Sequence, residues 1–216
     1  MLVAGLGGNC KDALIDILNQ FGKNGVTFYT DLQEDSNIPF FKKHGLNLAV
    51  GPEDAMQHFR TKGPEFFSII GNNYHRANQV VCLEELGGKP VSYISTTAMV
   101  NKEFSIISDR NVVIMHFANI SADAIIDEGA IIYAYTAIAH NVHVGKYTFF
   151  SAHCAVSNAT IGEFTFVGLN AMINPGVTVG NNCIIGANAY VNKDVPNGAT
   201  AYGVPVKIKM PANAQE

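Results

Sequence analysis

The sequence predicts two structural regimes in one chain: a small parallel α/β lobe over residues 1–94, then a triangular parallel β-helix over residues 95–216. Two observations carry this. From Ile161 an aliphatic residue recurs at every sixth position, through Val167, Ile173, Val179, Ile185 and Val191. Ahead of that beat, short apolar runs alternate with helix-period segments, the signature of a parallel sheet with crossover helices.

The lobe reads element by element. MLVAGLGG is a short apolar strand that runs into a glycine turn, and Asn9 is placed to cap the helix that follows. Ala13, Leu14, Ile17 and Leu18 fall on one face of that helix, and Gly22 closes it. GVTFYTDL is a second strand with Asp31 at its end, GPEDAMQHF a helix, PEFFSIIG a third strand, and GNNYHRANQVVCLEELGG a turn and a further helix.

The coil follows a different rule. The ladder also runs backwards in a second phase through Val156, Phe150, Val144, Ile138, Ile132, Ile126, Ile120 and Ile114. Mostly small residues stand two places before each rung, such as Ala118, Ala124, Ala130, Thr136, Cys154, Ala159 and Ala171. A helix at 3.6 residues per turn drifts out of phase with a six-residue beat, and a plain strand has a period of two. One short strand plus one corner per hexad satisfies it, each strand pairing with the strand roughly 18 residues along. Gly or Asn after the rung, as at Gly162, Gly168, Asn174, Gly180, Gly186 and Asn192, is expected to supply permissive backbone at the corner. Val156 and Ile161 are only five apart, so one residue is missing near Ser157 and Asn158.

Composition bounds the function. A chain of 216 residues that is 48% hydrophobic and 15% charged buries a substantial core. Its net charge of -4, with no basic cluster, argues against nucleic acid or an anionic membrane surface as partner. No basic segment followed by an apolar run opens the chain and no membrane-length apolar stretch follows, so a cytoplasmic location is expected. Cys10, Cys82, Cys154 and Cys183 are scattered, which fits neither zinc-ligand spacing nor a disulfide framework; they read as free, small apolar residues. No metal is expected.

Candidate binding residues emerge at one edge of the lobe. Gly5-Leu6-Gly7-Gly8 brings backbone amides and a helix start to where such folds hold phosphate. Asp31, with Leu32 beside it, is placed for a ribose or base edge, and Gly71-Asn72-Asn73 opens on the same side. The turn departs from GxGxxG and the lobe is small, so a nucleotide-linked substrate is expected and bound NAD is not.

GLGG and TDL, IGNNYHR, AHNVHVG, NATIGEFTFVGLNAMI, IIGANAYVNKDV and YGVPVKI occur in that order along the chain. The coil resembles the left-handed β-helix of the hexapeptide-repeat acyltransferases from near 98 to 192. With the Rossmann-like lobe in front, the whole resembles the bacterial nucleotide-sugar N-acetyltransferases of bacillosamine, perosamine and viosamine type, which feed O-antigen and lipopolysaccharide synthesis. Sialic-acid O-acetyltransferases are their close relatives.

The resemblance implies roles. His140, followed by Asn141, occupies the general-base position, with Asn141 able to orient the imidazole; His143 has no catalytic counterpart. The oxyanion donor maps onto Ser157-Asn158-Ala159, with Asn158 and Ala159 the expected contacts. Acetyl-CoA maps onto Gly168 and Leu169, then Gly186 and Ala187, in a groove between neighbouring coils, which implies a homotrimer. Gly7, Gly8, Asn9, Asp31, Leu32, Asn72 and Asn73 map onto the nucleotide sugar. Many relatives carry Gly-Gly-His in the first turn, where this chain has Asn9, and an acid after the catalytic histidine, where it has Asn141.

The expected reaction is acetyl transfer from acetyl-CoA to the 4-amino group of a dTDP- or UDP-linked 4-amino-4,6-dideoxy sugar. O-acetylation of sialic acid or another sugar is the alternative, and a catalytically silent scaffold or nucleotide-sugar sensor is a third possibility. His44, His58, His75, His116 and His153 read as surface or wall residues.

Overall fold

The computed structural model describes residues 1–211, so the end of the C-terminal extension, residues 212–216, lies outside the described residues. The lobe is a five-stranded parallel sheet of β1 (Leu2–Ala4), β2 (Thr27–Thr30), β3 (Leu48–Val50), β4 (Glu65–Ser68) and β5 (Lys89–Pro90) in the order β3-β2-β1-β4-β5. Four helices connect them: α1 (Gly8–Phe21), α2 (Ile38–Lys43), α3 (Pro52–Lys62) and α4 (Asn73–Glu85). The sequence reading passed over α2 and β3. Both are short, and their apolar residues Ile38, Phe41, Leu46 and Ala49 carry too few periods to declare a helix or a strand.

Strand order reverses between β1 and β4, which makes their carboxyl ends the crevice of the sheet. Gly5 follows β1 at φ +102, where a side chain would be strained and would also meet Ile70 at 2.8 Å. Chain direction therefore turns at Gly5 and enters α1. That helix begins at Gly8 with Gly7 as its cap residue, so Asn9 lies inside the first turn and does not cap it. The Asn9 amide instead donates to the Ile69 carbonyl at 3.2 Å, tying α1 to the end of β4.

The coil is a stack of two-residue parallel strands in three sheets, beginning with Tyr93–Ile94 and reaching Tyr190–Val191 before a C-terminal hairpin, Thr200–Tyr202 with Lys207–Lys209. The rungs Ile114, Ile120, Ile126, Ile132, Ile138, Val144, Ile161, Val167 and Ile185 are all at most 1% exposed in one continuous core. Burying each such side chain is worth about 1.5–3 kcal/mol, but only when the neighbouring turns are in place.

Registers verify the missing residue. Ile120 pairs with Ile138 and Thr160 with Thr178, eighteen residues apart, whereas Val144 pairs with Ile161, Phe150 with Val167 and Val156 with Ile173, seventeen apart.

One sequence expectation is corrected. The left-handed backbone at the corners is not at the Gly or Asn after the rung but two places later, at Asn141, Tyr147, His153, Phe164, Asn170, Asn182 and Asn188, and one place later in the shortened turn, at Asn158, with φ between 44° and 60°. The glycines after the rung serve stacking. A Cβ on Gly162 would meet the Gly180 carbonyl carbon at 2.5 Å, and one on Gly168 the Ala187 nitrogen at 2.7 Å.

Lobe and coil share a core. Val113, Met115, Ile131 and Phe149 on one coil face pack with Val3, Phe28, Phe67 and Tyr93. Asp16 accepts from the Tyr93 hydroxyl at 2.6 Å, and Asp12 accepts from Tyr133, so α1 is held to the coil along its length.

Candidate active site

A cleft of about 890 Å³ opens at the carboxyl ends of β1, β2 and β4. Its walls are the Gly5–Asn9 turn, Tyr29–Leu32, the Glu34–Asn37 loop, Ile69–Gly71 and the His75, Asn78, Gln79 and Cys82 face of α4. Gly7 and Gly8 are informative here. Neither has a positive φ, and a Cβ on either would meet nothing within 4 Å. Packing within the chain leaves that space empty, on a wall where backbone amides at the start of α1 face outward.

Of the expected contacts, Gly7, Gly8, Asn9, Asp31 and Leu32 line this cleft. Asp31 is exposed, while Asp35 is fixed in its loop by Thr30, at 3.0 Å, and by the Asn37 amide, at 2.8 Å, which with the Asn37 side chain hold its carboxyl below the usual range despite partial burial. Asn72 and Asn73 depart from expectation. The Asn72 side chain caps α4 by accepting from the His75 amide at 3.0 Å. Asn73 turns to the coil, donating to the Phe164 and Thr165 carbonyls at 3.0 and 3.2 Å. The Asn72 cap is a local one, its partner three residues along, whereas the docking partners of Asn73 lie 91 and 92 residues away and spacing does not reveal them. Sequence reasoning also missed His75, Gln79 and Cys82; Cys82 is free, as expected, but exposed on the cleft wall.

His140 is exposed at a coil corner, beside Asn141 at φ +55. Its Nε2 lies 3.4 Å from Ser157 Oγ. No hydrogen bond joins Asn141 to His140 among the described residues; Asn141 supplies the left-handed turn that presents the imidazole. The next coil explains the open space there. In the upper turn two residues, Ala139 and His140, separate the rung Ile138 from the left-handed Asn141; in the lower turn only Ser157 separates Val156 from the left-handed Asn158. The deleted position is the one that would stand beneath His140.

Backbone donors at this corner are unevenly used. The Asn158 N–H is engaged by the His140 carbonyl at 2.9 Å. The rung that carries Ala139 N–H to the Val156 carbonyl has no counterpart from Ser157, whose N–H has no acceptor among the described residues, as is also true of Ala159. His143, three residues on, pairs its Nε2 with Asp127 at 2.9 Å on an outer coil face. Leu169 and Ala187 are exposed on the coil, next to the stacking glycines Gly168 and Gly186.

Residues 158–193 match the bacterial transferase hexapeptide (six repeats) family model. The matched stretch lies within the coil. The acetyltransferase domain of PglB from Neisseria gonorrhoeae FA1090 is 24% identical, with a TM-score of 0.81 over 95% of this chain and 97% of that one. PerB from Caulobacter crescentus, solved in complex with CoA and GDP-perosamine, is 25% identical, with a TM-score of 0.80 over 96% of both chains. WeeI from Acinetobacter baumannii AYE matches at 20% identity and a TM-score of 0.57. The expected resemblance to nucleotide-sugar N-acetyltransferases therefore holds, and it extends through lobe and coil together.

The cleft and His140 do not meet within one chain. Every residue lining the cleft comes from the lobe. The lobe packs on the coil face formed by Val113–Ile114, Ile131–Ile132 and Phe149–Phe150, while His140 sits at the corner between the other two faces. Among the described residues no cluster of three or more His, Cys, Asp or Glu is arranged to hold a metal, and no helix is long and apolar enough to cross a membrane. The remaining histidines divide: His116 and His153 pack against Tyr135 on a corner, His44 on Phe40, and His58 is buried in the lobe, not at its surface.

Proposed function

We propose that this chain is an acetyl-CoA-dependent N-acetyltransferase that modifies the 4-amino group of a nucleotide-linked 4-amino-4,6-dideoxy sugar. The observation that carries it is the pairing of a glycine-walled cleft in the lobe with an exposed His140 above a deleted coil position. On this reading residues 1–94 are a Rossmann-like nucleotide-sugar lobe and residues 95–216 a left-handed β-helix. The nucleotide lies along Gly7, Gly8 and Asn9, with Asp31 and Leu32 at its base or ribose end.

Acetyl-CoA supplies the thioester and lies along Gly168, Leu169, Gly186 and Ala187. The sugar amine must be neutral to attack the thioester carbonyl carbon. As the N–C bond forms, His140 accepts the amine proton; as the C–S bond breaks, the CoA thiolate leaves and takes up a proton. The oxyanion formed between those steps is served by free amides of the Ser157–Ala159 strip, the Asn158 amide being already engaged. Ser157 Oγ, within reach of Nε2, orients the ring in the role Asn141 does not fill.

Because one chain keeps its cleft and its His140 apart, a second copy must complete each site, and a homotrimer with three shared sites is the arrangement proposed. Thiol release from acetyl-CoA with dTDP-, UDP- and GDP-linked 4-amino-4,6-dideoxy sugars tests the reaction; turnover only on a hydroxyl-bearing sugar would replace N- by O-acetylation.

A further inference from the structure

Arg76 on α4 is fully buried, and all five of its N–H donors are used. Nε donates to the Gly129 carbonyl at 2.8 Å and Nη2 to the Tyr147 carbonyl at 2.7 Å, both on the coil. Nη2 also reaches Asn73 Oδ1 at 3.2 Å. Nη1 donates to the Ile70 carbonyl at 2.7 Å and, more weakly, to the Gly71 carbonyl at 3.4 Å. None of the five acceptors is a carboxylate. Burial lowers the guanidinium to about 9, still above neutrality, so the charge persists.

Ile70 and Gly71 form the cleft wall after β4. In a trans peptide the carbonyl and the following N–H point in opposite directions. By drawing both carbonyls inward, Arg76 turns the amides of Gly71 and Asn72 the other way, and neither N–H has an acceptor among the described residues. The cleft lining otherwise includes Asp31, Glu34 and Asp35 and contains no Lys or Arg.

We infer that Arg76 is a positioning residue for the phosphate end of the nucleotide: it aims the Gly71 amide into the cleft, with the Asn72 amide beside it at the margin, and sets a fixed positive charge behind them. This rests on the nucleotide-sugar reading of the cleft. The same side chain locks lobe to coil through Gly129 and Tyr147, so the wall that meets phosphate is braced against the coil.

The test is calorimetric titration of UDP, dTDP and GDP into wild type, Arg76→Met and Arg76→Lys, with acetyl-CoA titrated into the same preparations. Arg76→Met should weaken the preferred nucleotide about tenfold or more while acetyl-CoA affinity stays within about twofold, and Arg76→Lys should recover part of the loss. Unchanged nucleotide affinity in folded Arg76→Met overturns the inference; so does an equal loss for both ligands, which marks a structural role alone. Wild type that binds none of the three nucleotides overturns the underlying reading, and needs no variant to show it. Amide hydrogen exchange on wild type keeps the test independent of variant folding: Gly71 and Asn72 should slow on nucleotide addition, and exchange that is unchanged by a bound nucleotide overturns the inference.

Discussion

The Asn158 amide donates to the His140 carbonyl at 2.9 Å, so the corner that carries the exposed imidazole is hydrogen-bonded to a coil turn that is a residue short. The bond keeps the His140 backbone in register with the turn below even though the position beneath its side chain is gone. Inserting one alanine between Ser157 and Asn158 should refill that position. We expect the insertion variant to keep its coil circular dichroism and to lose turnover by about 100-fold, because a 1 Å misplacement near a reacting centre is already costly. Retained turnover would show that the deletion has no part in the chemistry.

Stacking, and not corner conformation, fixes Gly162. Gly162→Ala forces a Cβ against the backbone of the next turn, at 2.5 Å from Gly180 and 2.6 Å from Asn181, and should cost about 2 kcal/mol or more in urea unfolding. Asp123→Gly, at a left-handed corner of φ 56, should change stability by no more than about 0.5 kcal/mol. The opposite ranking would restore the conformational role expected from sequence.

His58 on α3 is 5% exposed and neither ring nitrogen has a partner among the described residues. Burial, with the positive N-terminus and Lys62 adding to it, lowers its pKa from 6.5 to about 4. The folded state thus holds the neutral ring, while the unfolded state takes up a proton first as pH falls. Stability from this source is complete above pH 6.5 and is lost as pH drops from 6.5 toward 4. Relative to wild type, His58→Leu should gain thermal midpoint progressively across that window. A midpoint difference that is constant from pH 7 to pH 4 would contradict the assignment.

Separation of the cleft from His140 within one chain predicts an obligate oligomer for activity. Sedimentation should give three times the chain mass, and mixing His140→Ala chains with chains altered at Gly8 should restore part of the activity through mixed sites. Activity in a monomer would refute the shared-site arrangement.

Much of this was legible in the chain. The coil announces itself because each hexad encodes its own rung, and the five-residue step from Val156 to Ile161 located the irregular turn. Glycines after β1 and the acid after β2 located the cleft, since strand ends and turn residues are local signals. Arg76 was not legible as more than part of a motif: its coil acceptors Gly129 and Tyr147 lie 53 and 71 residues away, and they are carbonyls, which leave no mark on residue type. Asn73 was misplaced for the same reason, its partners being the carbonyls of Phe164 and Thr165. Gly162 was found but misread, because a close approach between turns and a left-handed corner call for the same residue.

The decisive measurement is thiol release from acetyl-CoA in the presence of dTDP-, UDP- and GDP-linked 4-amino-4,6-dideoxy sugars, with wild type and His140→Ala side by side. Wild type should turn over one of these nucleotide sugars, and His140→Ala should lose about 10²–10⁴-fold in kcat with nucleotide affinity intact. No thiol release with any of them, or an unchanged rate in folded His140→Ala, would contradict a histidine-assisted N-acetyltransferase.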